Sequence, residues 1–338
     1  MSKQSQPQPQ LDEQVQTAIS NFTEEPEQID AIAKIRQHYR VEEGSKYYPL
    51  LQEYLNKDNE LPETMDRLFG SIYKNIHKFN QSEMQFFDLW HSVLHSATRI
   101  PFQDAETHKR LVDFVAAYKE QPHPSGMYDG FGSDTGGIFG SLYGFTYTIQ
   151  SYWGDIPGHG SGSTDPEIHA WANLNCFWAG LTRDGVCDLW LRCIYAMREA
   201  LEHDMEKRGS FKKFTAVQFY DSLVPAAAVW VFALQRKLHE KEEDMTRNRF
   251  SKRPDYAHAG ALYGGPSSFN KERWRFWKER FSVIRHMQLL KDETRDLARR
   301  AFDIMEMQEP TAQEQQKTTV QEPRYLLRSR TKKLVESA

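Results

Sequence analysis

The stretch Lys271–Phe281, KERWRFWKERF, decides the fold class. Basic residues interleaved with aromatics can serve nucleic acid, with rings stacking on bases and Arg or Lys meeting phosphate. Helical geometry gives the segment a different reading. At about 100° per residue, Trp274, Trp277, Phe281 and Ile284 fall in one stripe. Phe276, Val283, Met287 and Leu290 fall in a second stripe, roughly opposite. A helix apolar on two faces packs between two layers, with its charges, Glu272 and Glu279 among them, on narrow flanks. The spacing predicts a core helix over 270–290 of an all-α protein.

Working outward, the same 3.6-residue patterning recurs. It predicts helices over 45–56, 61–78, 82–98, 104–120, 165–182, 187–208, 212–242 and 292–308. Ile29, Ile32, Ala33 and Ile35 begin an earlier one after Glu24, Glu25 and Pro26. Asn80 and Ser82 offer caps for one helix. Asp104 offers a cap for another, whose inner stripe is His108, Leu111, Val112, Val115 and Tyr118. Asp165-Pro166 is a start signal, and Asp184-Gly185 a turn. Pro225 either starts a helix after Asp221 and Ser222 or kinks a longer one.

One stretch departs from this pattern. Residues 122–164 hold eleven of the chain's 19 glycines, interleaved with Phe131, Phe139, Tyr143, Phe145, Tyr147 and Trp153. So many rings argue against a flexible linker, and glycine lets backbone turn or approach closely. The expectation is an ordered loop packed over the core, with 138–152 a short helix or strand. The termini read differently again. Residues 1–21 and 310–338 are polar enough to predict disordered tails. The expected architecture is one irregular multi-helix bundle over 22–309.

Composition narrows the function classes. A formal charge of -4 on 338 residues leaves no chain-wide basic footprint for nucleic acid or anionic membrane. The polar N-terminus has no apolar signal-peptide core. The longest uncharged apolar run, Leu223–Leu234, is short of the roughly 20 residues a membrane span needs, so it reads as a buried helix. Cys176, Cys187 and Cys193 form no CxxC and read as reduced, buried thiols. A cytoplasmic location follows from these readings. The basic arm Arg324, Arg328, Arg330, Lys332 and Lys333 admits a nuclear one.

Four blocks occur in order along the chain: YWGDIP at 152–157 followed by WANLNCFWAGL at 171–181, then LRCIYAMREALE at 191–202, VPAAAVWVFALQRKL at 224–238 and LYGGPSSFNKERWRFWKERF at 262–281. Together they resemble a fungal family of unknown function, over about residues 150–309. The resemblance implies an all-helical fold and a fungal source, and no activity, cofactor or catalytic residue. Similar proteins sometimes accompany secondary-metabolite genes, which implies an accessory role.

Candidate chemistry is sparse. Asp88, His91 and His95 share a helical face at i, i+3, i+7, a weak metal-ligand pattern; His91 also lies on an apolar stripe. HExxH, paired ExxH, GxGxxG, Walker and GxSxG motifs are absent. Ser71–Lys74 matches SxxK without its companion motifs. Asp165, Glu167 and His169 offer acid–base groups, although acids at a helix start also complement its dipole. Asn173 and Asn175 are poor interior helix residues. One of them either meets a ligand beside Trp171 or Trp178 or ties down the glycine-rich loop, the second being favoured.

Three hypotheses follow. The leading one is a non-catalytic accessory or regulatory protein acting through a protein partner. The second is a small-molecule binder or unusual enzyme, with a pocket between the glycine-rich loop and the Trp171–Trp178 helix, using Trp171, Asn175 and Trp178 and no cofactor. Filling of that space by Phe131, Phe139 or Trp153 would exclude it. The third is a DNA-associated regulator using the basic tail.

Overall fold

A computed structural model describes residues 8–74, 79–122, 137–208, 214–246 and 255–309. The fold is all-α. Its helices are α1 (Gln8–Asn21), α2 (Glu25–Ile35), α3 (Tyr47–Leu55), α4 (Leu61–Tyr73), α5 (Phe79–Arg99), α6 (Ala105–Glu120), α7 (Gly137–Gly140) and α8 (Phe145–Ser151). A 3-10 turn, Tyr152–Asp155, leads to α9 (Asp165–Arg183), α10 (Trp190–Leu201), α11 (Ala216–Leu234) and α12 (Arg236–Glu240). The chain ends with α13 (Lys271–Ile284) and α14 (Asp292–Gln308). Two-residue strands β1 (Glu243–Asp244) and β2 (Ser268–Phe269) pair antiparallel.

The centre is the pair α9 and α11, which run along one another. Helices α5, α6 and α2 pack on α9, while α10 and α14 pack on α11. Local sequence sets the helix starts. Thr164 and Glu167 form a reciprocal capping box at α9, as do Thr215 and Gln218 at α11. Asp104 accepts from Thr107 N at 3.0 Å, and Asn270 accepts from Arg273 N at 2.7 Å. Pro225 lies inside α11, which continues through it. This helix is the one described element long and apolar enough to cross a membrane, and here it is buried in the core. The expected helix over 212–242 is split at Gln235, whose φ of 44° ends α11 before α12 begins.

Three expectations change. First, the chain forms α1 from Gln8 within the stretch predicted to be a disordered tail. Val15, Ala18 and Ile19 make one narrow apolar face that packs on Ile32 and Ile35 of α2, a pattern that average composition hides. Second, α13 buries Trp274, Trp277, Phe281 and Ile284, but its second stripe is uneven, with Val283 49% exposed. Met287 and Leu290 lie beyond the end of the helix, so the two-layer reading holds for one face. Third, not all charges of α13 sit on flanks. Arg273 is fully buried, and its Nε and Nη2 donate to the equally buried Glu202 at 2.7 and 3.0 Å. Trp277 Nε1 donates to the same carboxylate at 2.6 Å.

Of the glycine-rich stretch, residues 137–164 are described, and 138–152 is helical with a turn at its middle. Gly160 is required by close approach: a Cβ there would lie 1.8 Å from the Gly154 carbonyl oxygen. The caps Asn80 and Ser82, Phe131, and the basic arm 324–333 lie outside the residues described above or, for the two caps, outside the described side chains.

Candidate functional site

Helices α1 and α2 form a hairpin with a small hydrophobic cluster of its own, separate from the main core. Where α2 meets α5, α9 and the 3-10 turn, apolar contact is incomplete. A pocket lies in this seam, with about 50 Å³ open to the centres of water-sized molecules. Ile29, Ile32 and Ala33 form one wall; Trp171, Leu174 and Ala170 form the other. Polar groups gather at His38, His95, Asp155 and Ser161.

These polar groups are held from several elements. Arg40, just past α2, makes a two-pronged ion pair with Asp155, both contacts 2.7 Å, and its guanidinium lies 4.5 Å from the Tyr152 ring centroid. His38 Nδ1 is 3.5 Å from Asp155 Oδ1 and 3.5 Å from Ser161 Oγ. Both oxygens approach the same ring nitrogen. A hydrolytic triad needs the carboxylate on one nitrogen and the hydroxyl on the other, so these three do not form one. His95 Nε2 pairs with Asp30 at 2.9 Å while the ring packs edge-on to Tyr39. Glu167, beneath the pocket, accepts from Gly162 N at 2.6 Å, Thr164 Oγ1 at 2.8 Å and Arg36 Nε at 2.9 Å. Its capacity is spent on the fold.

The residues singled out in the sequence divide accordingly. Trp171 lines the pocket. Asn175 donates to Trp171 O at 2.9 Å and accepts from Trp230 Nε1 at 2.9 Å, so it braces α9 against α11. Asn173 accepts from Phe102 N and donates to Thr98 O, both at 2.8 Å. Neither asparagine ties down the glycine-rich loop; both hold helical layers together. Trp178 packs edge-on to Trp171, and its buried Nε1 has no hydrogen-bond partner among the described residues. Phe139 sits among Phe69, Tyr73 and Tyr118, and Trp153 packs on Tyr195. Neither fills the pocket.

Asp88, His91 and His95 do not converge. Asp88 accepts from Ser45 Oγ at 2.8 Å, and burial raises its pKa. Burial and the nearby Arg40 push His91 down to about 4, keeping it neutral. Among the described residues no three His, Cys, Asp or Glu side chains form a group that would hold a metal. Asp165, Glu167 and His169 also part ways. Asp165 pairs with Lys291, Glu167 serves as above, and His169 bridges Glu25 at 2.6 Å and Glu293 at 3.1 Å. Burial pushes the thiols of Cys176 and Cys187 up to about 12 and about 11, the opposite of an activated nucleophile.

Sequence reasoning missed His38, Asp155 and Ser161. They are brought together by the hairpin and the 156–162 turn, and no local spacing signals such a meeting. The pairing of Arg40 with Asp155 spans 115 residues.

The fold and the seam define an all-helical protein with a side pocket under an N-terminal hairpin. The chain belongs to the DUF3632 family, described as proteins of unknown function, whose model matches residues 90–281. No curated protein and no solved structure matches the chain.

Proposed function

We propose that the protein is a non-catalytic binder of a small, mainly apolar molecule, and that it acts as an accessory factor through that binding. One observation carries the reading: the seam between two hydrophobic clusters stays open, and His38, His95, Asp155 and Ser161 converge on it. Apolar walls with a few convergent polar groups are the usual composition of a ligand site. The space suits a small ligand or the end of a longer one, whose apolar body completes the contact between hairpin and core. The lack of triad geometry at Ser161, His38 and Asp155 favours binding over turnover. An accessory role beside secondary-metabolite genes in a fungus is compatible with such a protein.

The test is a fragment library screened by ligand-observed NMR against the full chain and the Ala170→Phe variant, which fills the pocket. The reading expects apolar fragments with one hydrogen-bonding group to bind the parent and to lose binding in the variant, with both proteins folded. Fragments that bind both equally, or none that bind the parent, would overturn it.

A further inference from the structure

Arg192 is the described cation whose surroundings are hardest to explain by packing alone. Its backbone N–H donates to Leu189 O, but its side chain makes no hydrogen bond and no ion pair among the described residues. Its guanidinium lies 4.4 Å from the Trp153 ring centroid and 5.9 Å from that of Trp178. Burial pulls its pKa down to about 10, a shift against the charged form that no carboxylate offsets. A partly buried charge without a counter-charge is costly.

The neighbours deepen the point. Tyr195, one helical turn on, packs edge-on to Trp153 at 4.1 Å. Its hydroxyl has no hydrogen bond among the described residues. Arg198 and Arg208 also face this side and share the one carboxylate of Glu199. Arg198 donates to Glu199 at 2.9 Å, and Arg208 makes a short contact with the same carboxylate. Arg198 further donates to Tyr256 O at 2.6 Å. Glu199 is thus fully engaged by other cations and has nothing left for Arg192.

We propose that Arg192, Tyr195 and Trp153 form a binding site for a small organic carboxylate on a flat, unsaturated body. The guanidinium supplies a fork for the carboxylate, the Tyr195 hydroxyl supplies a further donor, and the aromatic rings give the flat body a surface. A planar fork beside aromatic rings suits a flat carboxylate better than a phosphate, which has no apolar body to lay on them. None of Arg192, Tyr195 and Trp153 lines the seam pocket, so the proposal does not depend on the reading above.

The experiment uses sodium benzoate and inorganic phosphate as probes, titrated at constant ionic strength into the full chain and followed by saturation-transfer and side-chain 15N NMR. Benzoate is expected to bind and to shift the Trp153 indole N–H and the Arg192 guanidinium. Its affinity is expected to fall about tenfold in Arg192→Gln, and less in Arg192→Lys, which keeps charge and loses the fork. Tyr195→Phe, which retains the ring, is expected to weaken benzoate binding as well, and it stands in should Arg192→Gln fail to fold. Equal benzoate affinity in these variants, or phosphate binding in preference to benzoate, overturns the proposal.

Discussion

His169 shows how a single side chain can tie three helices. Its two nitrogens reach Glu25 at the start of α2 and Glu293 at the start of α14, and these carboxylates raise its pKa to about 10 against the opposing cost of burial. The folded state therefore holds the proton more tightly than the unfolded chain. The resulting stabilisation is complete below the unfolded value near 6.5 and is lost as pH rises through about 10. Urea unfolding at pH 6 and pH 9.5 should show the parent losing roughly 2 kcal/mol more than His169→Gln over that interval, once solvent screening is allowed for. Arg273 and Glu202 make the complementary case, a wholly buried pair. Glu202→Gln strands the guanidinium and should cost about 3–5 kcal/mol in denaturant unfolding. Adding Arg273→Met to it should recover part of that loss; a further loss instead would show the pair acts mainly through packing.

At the scale of elements, periodicity was a good guide wherever one face of a helix meets the core. The Trp274–Ile284 stripe of α13, the Asp104 cap and the start of α9 were all legible, because each is a local pattern with a local cause. The buried Arg273 was not, since its partner lies 71 residues away on another helix and no spacing rule connects them. Asn173 and Asn175 were rightly marked as odd helix residues, but their use as braces between layers depends on which helices lie beside α9. The packed helical part of the glycine-rich segment, 137–152, was legible through its aromatics, while the role of each glycine was not. Gly160→Ala should destabilise the protein by more than about 2 kcal/mol, because the added carbon meets the Gly154 carbonyl and the turn carrying Asp155 and Ser161 must move. Thermal unfolding measures the loss, and an unchanged midpoint would mean the turn relaxes freely.

Across the whole molecule, the α1–α2 hairpin stands apart. Its apolar cluster is its own, and polar contacts dock it: Arg36 to Glu167, Arg40 to Asp155, Asp30 to His95 and Glu25 to His169. Opening of this hairpin should precede global unfolding. Native-state hydrogen exchange should show α1 and α2 exchanging through their own opening, about fivefold faster in 1 M salt, equivalent to ~1 kcal/mol at partly exposed pairs, with α9 and α11 unchanged. Exchange of all four helices in one step would reject this. The seam has a further consequence. The family match begins at residue 90, so it contains Trp171, Leu174, Asp155 and Ser161 but none of Ile29, Ile32 or His38. One wall of the pocket thus lies inside the matched stretch and the other outside it. If the pocket takes a ligand as proposed, its outer wall can be altered without touching the matched stretch, which supplies α9 and α11.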